Sequence, residues 1–214
     1  LGVAADDVEI IMGTTDHFPT DVVVAASRVT YLAGQASQNA ASGLRDLLLN
    51  EAAEIFRCPI ERLRIAKSVL RNDAKQKISF AELAARATSA GRKLQVKANF
   101  QIQERGGTAC FFAQAAKIKV DPETGKVTIL KMLSAHDTGT VINPVTYQGQ
   151  VEGGMMQGLG FALMENLRDD EGKIITPSLG EYKIPCAADV PPLETLLFQD
   201  QDGPGPFHSK PVGE

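Results

Sequence analysis

The chain has 214 residues, of which 43% are hydrophobic and 22% charged, a balance typical of a globular protein with one large domain or two small ones. Its formal net charge is −4 and its basic residues are scattered, which excludes the basic stripe that binds a nucleic-acid backbone. No apolar stretch approaches the ~20 residues needed to cross a bilayer, and the first residues lack the basic segment and apolar core of a secretory leader.

The cysteines indicate the redox setting. Cys58, Cys110 and Cys186 are far apart and odd in number, which suits reduced thiols better than a disulfide framework. We therefore expect a cytoplasmic protein whose partners include neither nucleic acid nor a membrane. The chain starts at Leu1 without a methionine and stops at Glu214 without a closing element, so we expect a piece of a larger polypeptide.

The first 60 residues predict a strand followed by a long helix. Val8–Met12 is a short apolar, β-branched run that ends at a glycine, which is typical of a strand running into a loop. From about Ser27 to Phe56, apolar residues recur at helical spacing with polar residues on the other side. Cys58 and Pro59 close this helix, because the residue before a proline is pushed out of the α region.

The next 30 residues predict two strands and a short helix. Leu63–Leu70 alternates as a strand does, and Lys77–Phe80 follows it after a turn. Ser79 and Glu82 form the S-x-x-E pattern of a helix start, and Gly91 is placed to end that helix.

The second half predicts a hairpin and a glycine-rich helix. Ala109–Val120 and Lys126–Leu133 flank DPETGK, whose Asp, Pro and Gly suit a tight reversal. Asn143 opens a helix that continues to about Leu167, and from Pro177 onward only short strand-like runs remain. The predicted fold class is α+β, with mixed sheets and long helices.

Two segments are rich in small residues, one at the start of the first predicted long helix and one inside the glycine-rich helix. Val22–Thr30 combines small side chains and hydroxyls at the start of the first long helix, where free backbone N–H groups can bind an anion. In Gly149–Gly160 the glycines would let a ligand approach the backbone, and Gln150 offers both donors and acceptors. Composition alone leaves two interpretations open for each segment: a ligand-binding site, or close packing of the helix against its neighbours.

The histidines do not form a local zinc motif, because His17, His136 and His208 lack H-E-x-x-H or C-x-x-C spacing. We interpret His136, next to Asp137, as a polar end of a strand. His208 lies close to the end of the chain. It could line a pocket or have a structural role, and the sequence favours neither.

Five ordered motifs resemble the molybdenum hydroxylase family of xanthine dehydrogenases and aldehyde oxidoreductases. They are GTTDHFPTDVVVAASRVTYLAGQA (Gly13–Ala36), AAKIKVDPETGKVTILK (Ala115–Lys131), HDTGTVINPVTYQGQVEGGMMQGLGFALMEN (His136–Asn166), TPSLGEYKIPCAADVPP (Thr176–Pro192) and SKPVGE (Ser209–Glu214). The resemblance implies that residues 1–214 are the C-terminal part of the molybdopterin-binding domain, with the earlier cofactor and substrate segments absent. It implies oxidation of an aldehyde or a xanthine-like N-heterocycle with water as the oxygen source.

The resemblance also implies roles for individual residues. Glu214 is assigned as the base, consistent with a carboxylate beside a metal centre. The Ala26 backbone is expected near the molybdenum centre, with no side chain ligating the metal. Pro211 departs from the family, which usually has Gly or Ala there, and it removes a backbone donor. The residues expected to bind the cofactor are Ala25, Ala26, Ser27, Arg28, Gly149, Gln150, Lys210, Val212 and Gly213.

The family's cofactor is molybdenum with molybdopterin, either as the pterin itself or in its cytosine dinucleotide form. The chain has no clustered cysteines to hold an iron–sulfur cluster, so [2Fe–2S] and FAD are expected on other domains or subunits. The expected partners are the remainder of the molybdenum subunit, iron–sulfur and flavin modules, and a small-molecule substrate. The alternative is a catalytically inactive piece that acts as an assembly or subunit-interaction domain.

Overall fold

The computed structural model describes residues 1–11, 13–14, 16, 25, 27, 29–101 and 109–212. The chain divides into two units, here called unit 1 (Leu1–Val23 and Leu32–Gln103) and unit 2 (Val24–Tyr31 and Glu104–Glu214). Both contain helix and sheet, so the predicted α+β class with mixed sheets is confirmed. Within the described residues, no helix is both long enough and apolar enough to span a membrane.

The long helix α1 (Val29–Phe56) agrees with the predicted helix to within two residues. It ends where the sequence indicates, because Arg57 takes a left-handed φ of 51° and Cys58 N donates to the Ala53 carbonyl. No strand forms over the described part of the predicted Val8–Met12 strand. Residues 8–11 are exposed and have no ladder partner, and β-branched residues alone do not make a strand without one.

An antiparallel sheet of β1 (Leu63–Ala66), β2 (Val69–Asn72) and β3 (Lys77–Ser79) follows. The predicted single strand over Leu63–Leu70 is wrong, since the chain reverses at Lys67 and Ser68 with φ of 51° and 58°. Two left-handed residues make the two-residue turn that fits a twisted hairpin, and Asn or Gly usually supplies them. Neither stands here, so composition gave no signal.

Helix α2 (Phe80–Ser89) begins at the predicted capping box. Ser79 Oγ accepts a hydrogen bond from Glu82 N at 3.2 Å, and Glu82 Oε2 accepts one from Ser79 N at 2.9 Å. Gly91 ends the helix at a φ of 71°, as predicted. The core of unit 1 is an apolar cluster contributed by both helices and the sheet, namely Leu48, Leu49, Ala52, Leu63, Leu70, Ile78 and Leu83.

Unit 2 opens with the predicted hairpin, in which β4 (Phe112–Val120) pairs with β5 (Val127–Asp137). At the turn, Asp121 Oδ1 accepts from Glu123 N at 2.9 Å, and Gly125 has a φ of 70°.

Helix α3 (Pro144–Leu163) follows and stops four residues before the predicted end at Leu167. Its last turn closes where Met164 N and Glu165 N both donate to the Gly160 carbonyl. A two-stranded ribbon comes next, formed by β6 (Asp169–Asp170) and β7 (Lys173–Ile174).

Strand β8 (Leu193–Phe198) returns parallel to β5, so the sheet order is β4-β5-β8. Helix α3 is part of the crossover and packs on this sheet through Tyr147, Val151 and Met155. The carboxyl ends of β5 and β8 therefore lie at the same edge. Crevices outside the carboxyl ends of parallel strands are where such sheets commonly bind ligands.

Candidate functional site

A cavity of about 380 Å³ lies within unit 2. Three places in the sequence form its walls: the start of α1, the start of α3 with the loop before it, and the segment 209–212. The lining residues are Ala25, Ser27, Val29, Thr30, Thr140, Ile142, Asn143, Thr146, Tyr147, Gln150, Ser209, Lys210 and Val212.

Helix N-termini and hydroxyl groups give this cavity its chemistry. The first turn of a helix presents backbone N–H groups and the positive end of the helix dipole, and both favour anionic or acceptor groups. Ser27, which stands just before α1, has a left-handed φ of 46°, and strained non-glycine backbone of this kind is concentrated at functional sites. Asn143 caps α3 by accepting from Thr146 N at 3.2 Å.

The cavity brings together five of the residues that the sequence predicted for cofactor binding, although they are far apart in the chain. Its lining includes Ala25, Ser27, Gln150, Lys210 and Val212. Gly149 adjoins Gln150 on α3 and does not line the cavity, and added bulk at Gly149 would meet open space. The remaining predicted positions lie outside the described residues, and they are Ala26, Arg28, Gly213 and Glu214.

The segment 209–212 is held against the end of β5 by backbone hydrogen bonds. Thr140 N donates to the His208 carbonyl at 2.9 Å, and Lys210 N donates to the Thr138 carbonyl at 3.2 Å. Gly139, at a φ of 58°, forms an isolated bridge with Ser209, and a Cβ at Gly139 would collide with the His208 carbonyl. Only glycine therefore permits this close approach.

Lys210 lines the cavity, but its ammonium is directed at carboxylates of the same chain. The distances from Nζ are 2.8 and 2.9 Å to the two Asp137 oxygens, 3.4 Å to Asp200 Oδ2 and 2.6 Å to Asp202 Oδ1. The side chain is only 6% exposed, and the hydrogen bonds that its ammonium donates to Asp137 and Asp202 raise the pKa of Lys210. Sequence reasoning missed these three aspartates as a group, because Asp137 lies 63 and 65 positions before the other two, which themselves form an ordinary turn-like D-x-D.

The aspartates form the acidic cluster of the site. Their oxygens lie within 4.8 Å of one another, a spacing that could suit a metal ion, but the Lys210 ammonium contacts all three. A hydrogen bond with Asp202 raises the pKa of Asp200, whereas hydrogen bonds from Asp200 and Lys210 lower the pKa of Asp202.

His136 is a buried structural residue at the end of β5, as interpreted from the sequence. It is 4% exposed, its Nε2 lies 2.8 Å from Ser134 Oγ, and its ring stacks on Phe112 at a centroid distance of 5.5 Å. Burial lowers the pKa of His136. His208 is exposed and is not part of the described cavity lining.

Cys110 contacts the same terminal segment. Its Sγ donates to the Pro211 carbonyl at 3.1 Å, and burial together with the nearby Asp137 charge raises the pKa of the thiol. The thiol therefore stays protonated and serves as a donor.

A buried hydroxyl tests whether the cavity suits a polar ligand. Ser209 lines the cavity and is 2% exposed, and its Oγ has no hydrogen-bond partner among the described residues. A buried hydroxyl without a partner costs free energy, so a ligand acceptor or donor at this place would be stabilising. The residues present fit a cofactor rich in polar and phosphate groups.

The model of the molybdopterin cofactor-binding domain family matches residues 1–191. The chain is 31% identical to the xanthine dehydrogenase molybdenum-binding subunit of Escherichia coli O157:H7, over 100% of this chain and 29% of that relative. It is 30% identical to the 6-hydroxypseudooxynicotine dehydrogenase complex subunit gamma of Paenarthrobacter nicotinovorans, over 100% of this chain and 28% of the relative. The chain thus spans less than a third of the length of these relatives.

Solved structures give the same assignment. The crystal structure of the Cu,Mo-CO dehydrogenase in its carbon monoxide reduced state superimposes with a TM-score of 0.85 at 26% identity, over 100% of this chain and 28% of that one. The sequence relatives and the solved structure each cover 100% of this chain, so the resemblance predicted from the five motifs is confirmed. The chain belongs to the molybdopterin cofactor-binding domain family of xanthine dehydrogenases and aldehyde oxidoreductases.

Proposed function

We propose that this chain is the C-terminal part of a molybdopterin-binding domain and forms one wall of its cofactor site. The complete enzyme would be a molybdenum hydroxylase that oxidises an aldehyde or an N-heterocycle such as xanthine, with water as the oxygen source. The remainder of the molybdenum subunit would supply the other wall and most of the substrate contacts. The [2Fe–2S] and FAD groups that carry electrons away would lie on other domains or subunits.

The observation that carries this proposal is the cavity at the starts of α1 and α3, where the buried Ser209 hydroxyl has no hydrogen-bond partner among the described residues. Backbone N–H groups and the hydroxyls of Ser27 and Thr30 would bind phosphate or pterin acceptors. The Gln150 amide can donate and accept, which suits the mixed hydrogen-bonding edge of a pterin. Val212 packs against the apolar cluster of Tyr147, Val151 and Met155 and would exclude water from one side of the cavity.

When bound, the molybdenum cofactor supplies the two-electron redox chemistry that oxidises a C–H bond. The protein contributes orientation and proton transfer. Glu214, two residues after Val212, would act as general base, accepting a proton as oxygen from water is added to the substrate carbon. The cytosine dinucleotide form of the cofactor would need a longer groove than the described residues enclose, and the rest of the subunit would provide it.

Cofactor binding is tested by Gln150→Ala and Ser209→Ala in the complete enzyme. Each variant removes a group that would pair with a buried cofactor atom, worth about 1–3 kcal/mol if that atom is left unpaired, so we expect at least a several-fold loss of retained cofactor. Gln148→Ala is the matched control, since Gln148 lies on the same helix and donates to Glu152 at 2.6 Å on the exposed side. Molybdenum and pterin content are measured after purification. Normal contents in both variants would contradict these two roles.

The base is tested by Glu214→Gln in the complete enzyme. Gln is nearly isosteric but cannot accept the proton, so we expect normal cofactor content and a loss of about 10²–10⁴-fold in the rate at which substrate reduces the metal in a single turnover. Glu123→Gln, in the exposed turn between β4 and β5, is the control. A wild-type rate in Glu214→Gln would remove Glu214 from the mechanism.

A purely assembling role has one observation in its favour. Every residue of β4 is exposed, including Phe112 at 56% and Ile118 and Val120 at 50% each. An apolar strand of this kind suits a surface that the remainder of the molybdenum subunit covers. We expect the isolated chain to purify without molybdenum because only part of the site is present. Absence of molybdenum and pterin from the complete enzyme as well would favour the assembling role alone.

A further inference from the structure

The Lys210 ammonium and the carboxylates of Asp137, Asp200 and Asp202 connect three parts of unit 2. Asp137 is the last residue of β5, and Asp200 and Asp202 follow β8 within four residues. The two strands are parallel, so these carboxylates meet at one edge of the sheet. Lys210 reaches them from the terminal segment, which also forms a cavity wall.

The ammonium is saturated by these contacts. Lysine has three N–H donors and no acceptor, and the carboxylates offer four oxygens within 3.4 Å of Nζ. A buried charge is stable only when it is paired and hydrogen-bonded, and here the pairing is complete within the chain. Little donor capacity remains for a cofactor phosphate.

The main chain and the side chain of Lys210 both bond to the end of β5. Its N–H donates to the Thr138 carbonyl at 3.2 Å while its ammonium binds the neighbouring Asp137. Because Lys210 is bonded to two adjacent residues, Asp137 and Thr138, the segment 209–212 can neither slide along the end of β5 nor rotate about its own axis without breaking one of these contacts. Side chains on that segment include the cavity-lining Ser209 and Val212.

We propose that Lys210 is a positioning residue rather than a cofactor ligand. With Asp137, Asp200 and Asp202 it forms an ion-pair lock that holds the segment 209–212 in register with the cavity and thereby orients Glu214. This inference rests on the proposed function of Glu214. The lock replaces the cofactor-binding role that the sequence predicted for Lys210.

The test uses the complete enzyme with Lys210→Met, which keeps most of the side-chain length but removes the charge. Lys131→Met is the matched control, because Lys131 lies on β5 and its ion pair with Glu194 is half-exposed. Hydrogen–deuterium exchange is measured on peptides covering 203–212. We expect exchange at Gly205 and Lys210 to rise at least 10-fold in Lys210→Met and to stay unchanged in Lys131→Met.

The same variants are compared in single turnover at saturating substrate, with xanthine or an aromatic aldehyde, whichever reduces the wild-type enzyme. Rates are expressed per bound molybdenum. Lys210→Met should lower this rate at least 10-fold while the KM from steady-state turnover stays unchanged, and it should cause no further loss in a Glu214→Gln background because it acts through that carboxylate. Asp202→Asn, which removes one outer carboxylate at an exposed position, should give a smaller change of the same kind and serves if Lys210→Met does not fold.

The outcomes separate the two proposals. Wild-type exchange in Lys210→Met overturns the lock. Reduced molybdenum content with a normal rate per molybdenum also overturns it and returns Lys210 to the cofactor ligands. A wild-type rate in Glu214→Gln overturns the base assignment, whereas the exchange measurement still decides whether the lock exists.

Discussion

The two units bury different kinds of side chain. Every buried residue that the structure describes in unit 1 is apolar, from Leu48 on α1 to Ala87 on α2. The described part of unit 2 buries the polar side chains Ser134, His136, Thr138, Thr176, Ser209 and Lys210. All but Thr176 lie at or beside the carboxyl end of β5.

This difference separates a scaffold from a site. Burying apolar area stabilises unit 1 without specifying any chemistry, at about 1.5–3 kcal/mol for each large side chain. Buried polar groups contribute little net stability, but each fixes the orientation of its partner and is costly to leave unpaired. The polar burial in unit 2 therefore marks the place where geometry matters, next to the cavity.

The largest effect is expected from Leu70→Ala in unit 1. Leu70 is 0% exposed and sits between Ile65 and Ile78 in the sheet, so truncation should cost about 2–5 kcal/mol through lost burial and a cavity. Hydrogen exchange at β1 and β2 amides measures the loss. Ile10→Ala, at a position 83% exposed, should leave exchange unchanged. A cost below 1 kcal/mol for Leu70→Ala would mean that the apolar core is not what holds unit 1.

In unit 2 the matching change is Asp137→Asn. It weakens the pairing of a buried ammonium while Asp202 remains, so we expect a loss of about 1–3 kcal/mol in the free energy of unfolding at pH 7. Asp200→Asn should be nearly neutral, because its carboxylate lies 3.4 Å from Lys210 Nζ, farther than those of Asp137 and Asp202, and its side chain is 46% exposed. Urea denaturation of the full chain measures the free energy of unfolding of both variants. Equal losses would show that Asp137 and Asp200 contribute equally to holding Lys210, which would contradict this prediction.

The sequence predicted the elements whose signals are local. The capping box of Ser79 and Glu82, the DPETGK turn and the start of α3 at Asn143 each lie within six residues, and each formed as expected. The hairpin at Lys67 and Ser68 was missed because its left-handed residues are not the usual ones.

The site was predicted less completely, for a physical reason. Motif resemblance named Gln150 and Lys210, and the cavity includes both. It could not supply the partners of Lys210. Asp137 lies 73 positions away and meets Lys210 because the segment 209–212 bonds to the end of β5, whereas Asp200 and Asp202 reach the same edge through the parallel pairing of β8 with β5. Long-range contacts of this kind depend on topology, and neither periodicity nor composition encodes them.

A pH dependence sharpens the contrast between the units. Burial lowers the pKa of His136, so the fold keeps the ring neutral where the unfolded chain, with a pKa near 6.5, takes up a proton. Its contribution to stability is present above about pH 6.5 and is lost as pH falls, at no more than ~1.4 kcal/mol per pH unit. Denaturation at pH 7.5 and 5.5 should show a smaller difference in His136→Gln than in the wild type. His208→Gln, at an exposed position, should keep the wild-type difference, and an identical pH response in all three proteins would argue against a buried neutral His136.

The smallest effect is expected at a local polar motif of unit 1, the capping box of α2. Ser79→Ala removes the acceptor for Glu82 N and should cost about 1 kcal/mol. Ser89→Ala is the control, because that hydroxyl only donates back to the Ala85 carbonyl within the last turn. The Ser79 N–H lowers the pKa of Glu82, so the benefit of the box is present above pH ~4.3 and declines as pH falls further. Exchange at the first-turn amides of α2 reports the loss directly. If Ser79→Ala lowered the free energy of unfolding as much as Asp137→Asn does, a polar contact between sequence neighbours would stabilise the fold as much as one between distant segments. The two units would then differ only in which side chains they bury.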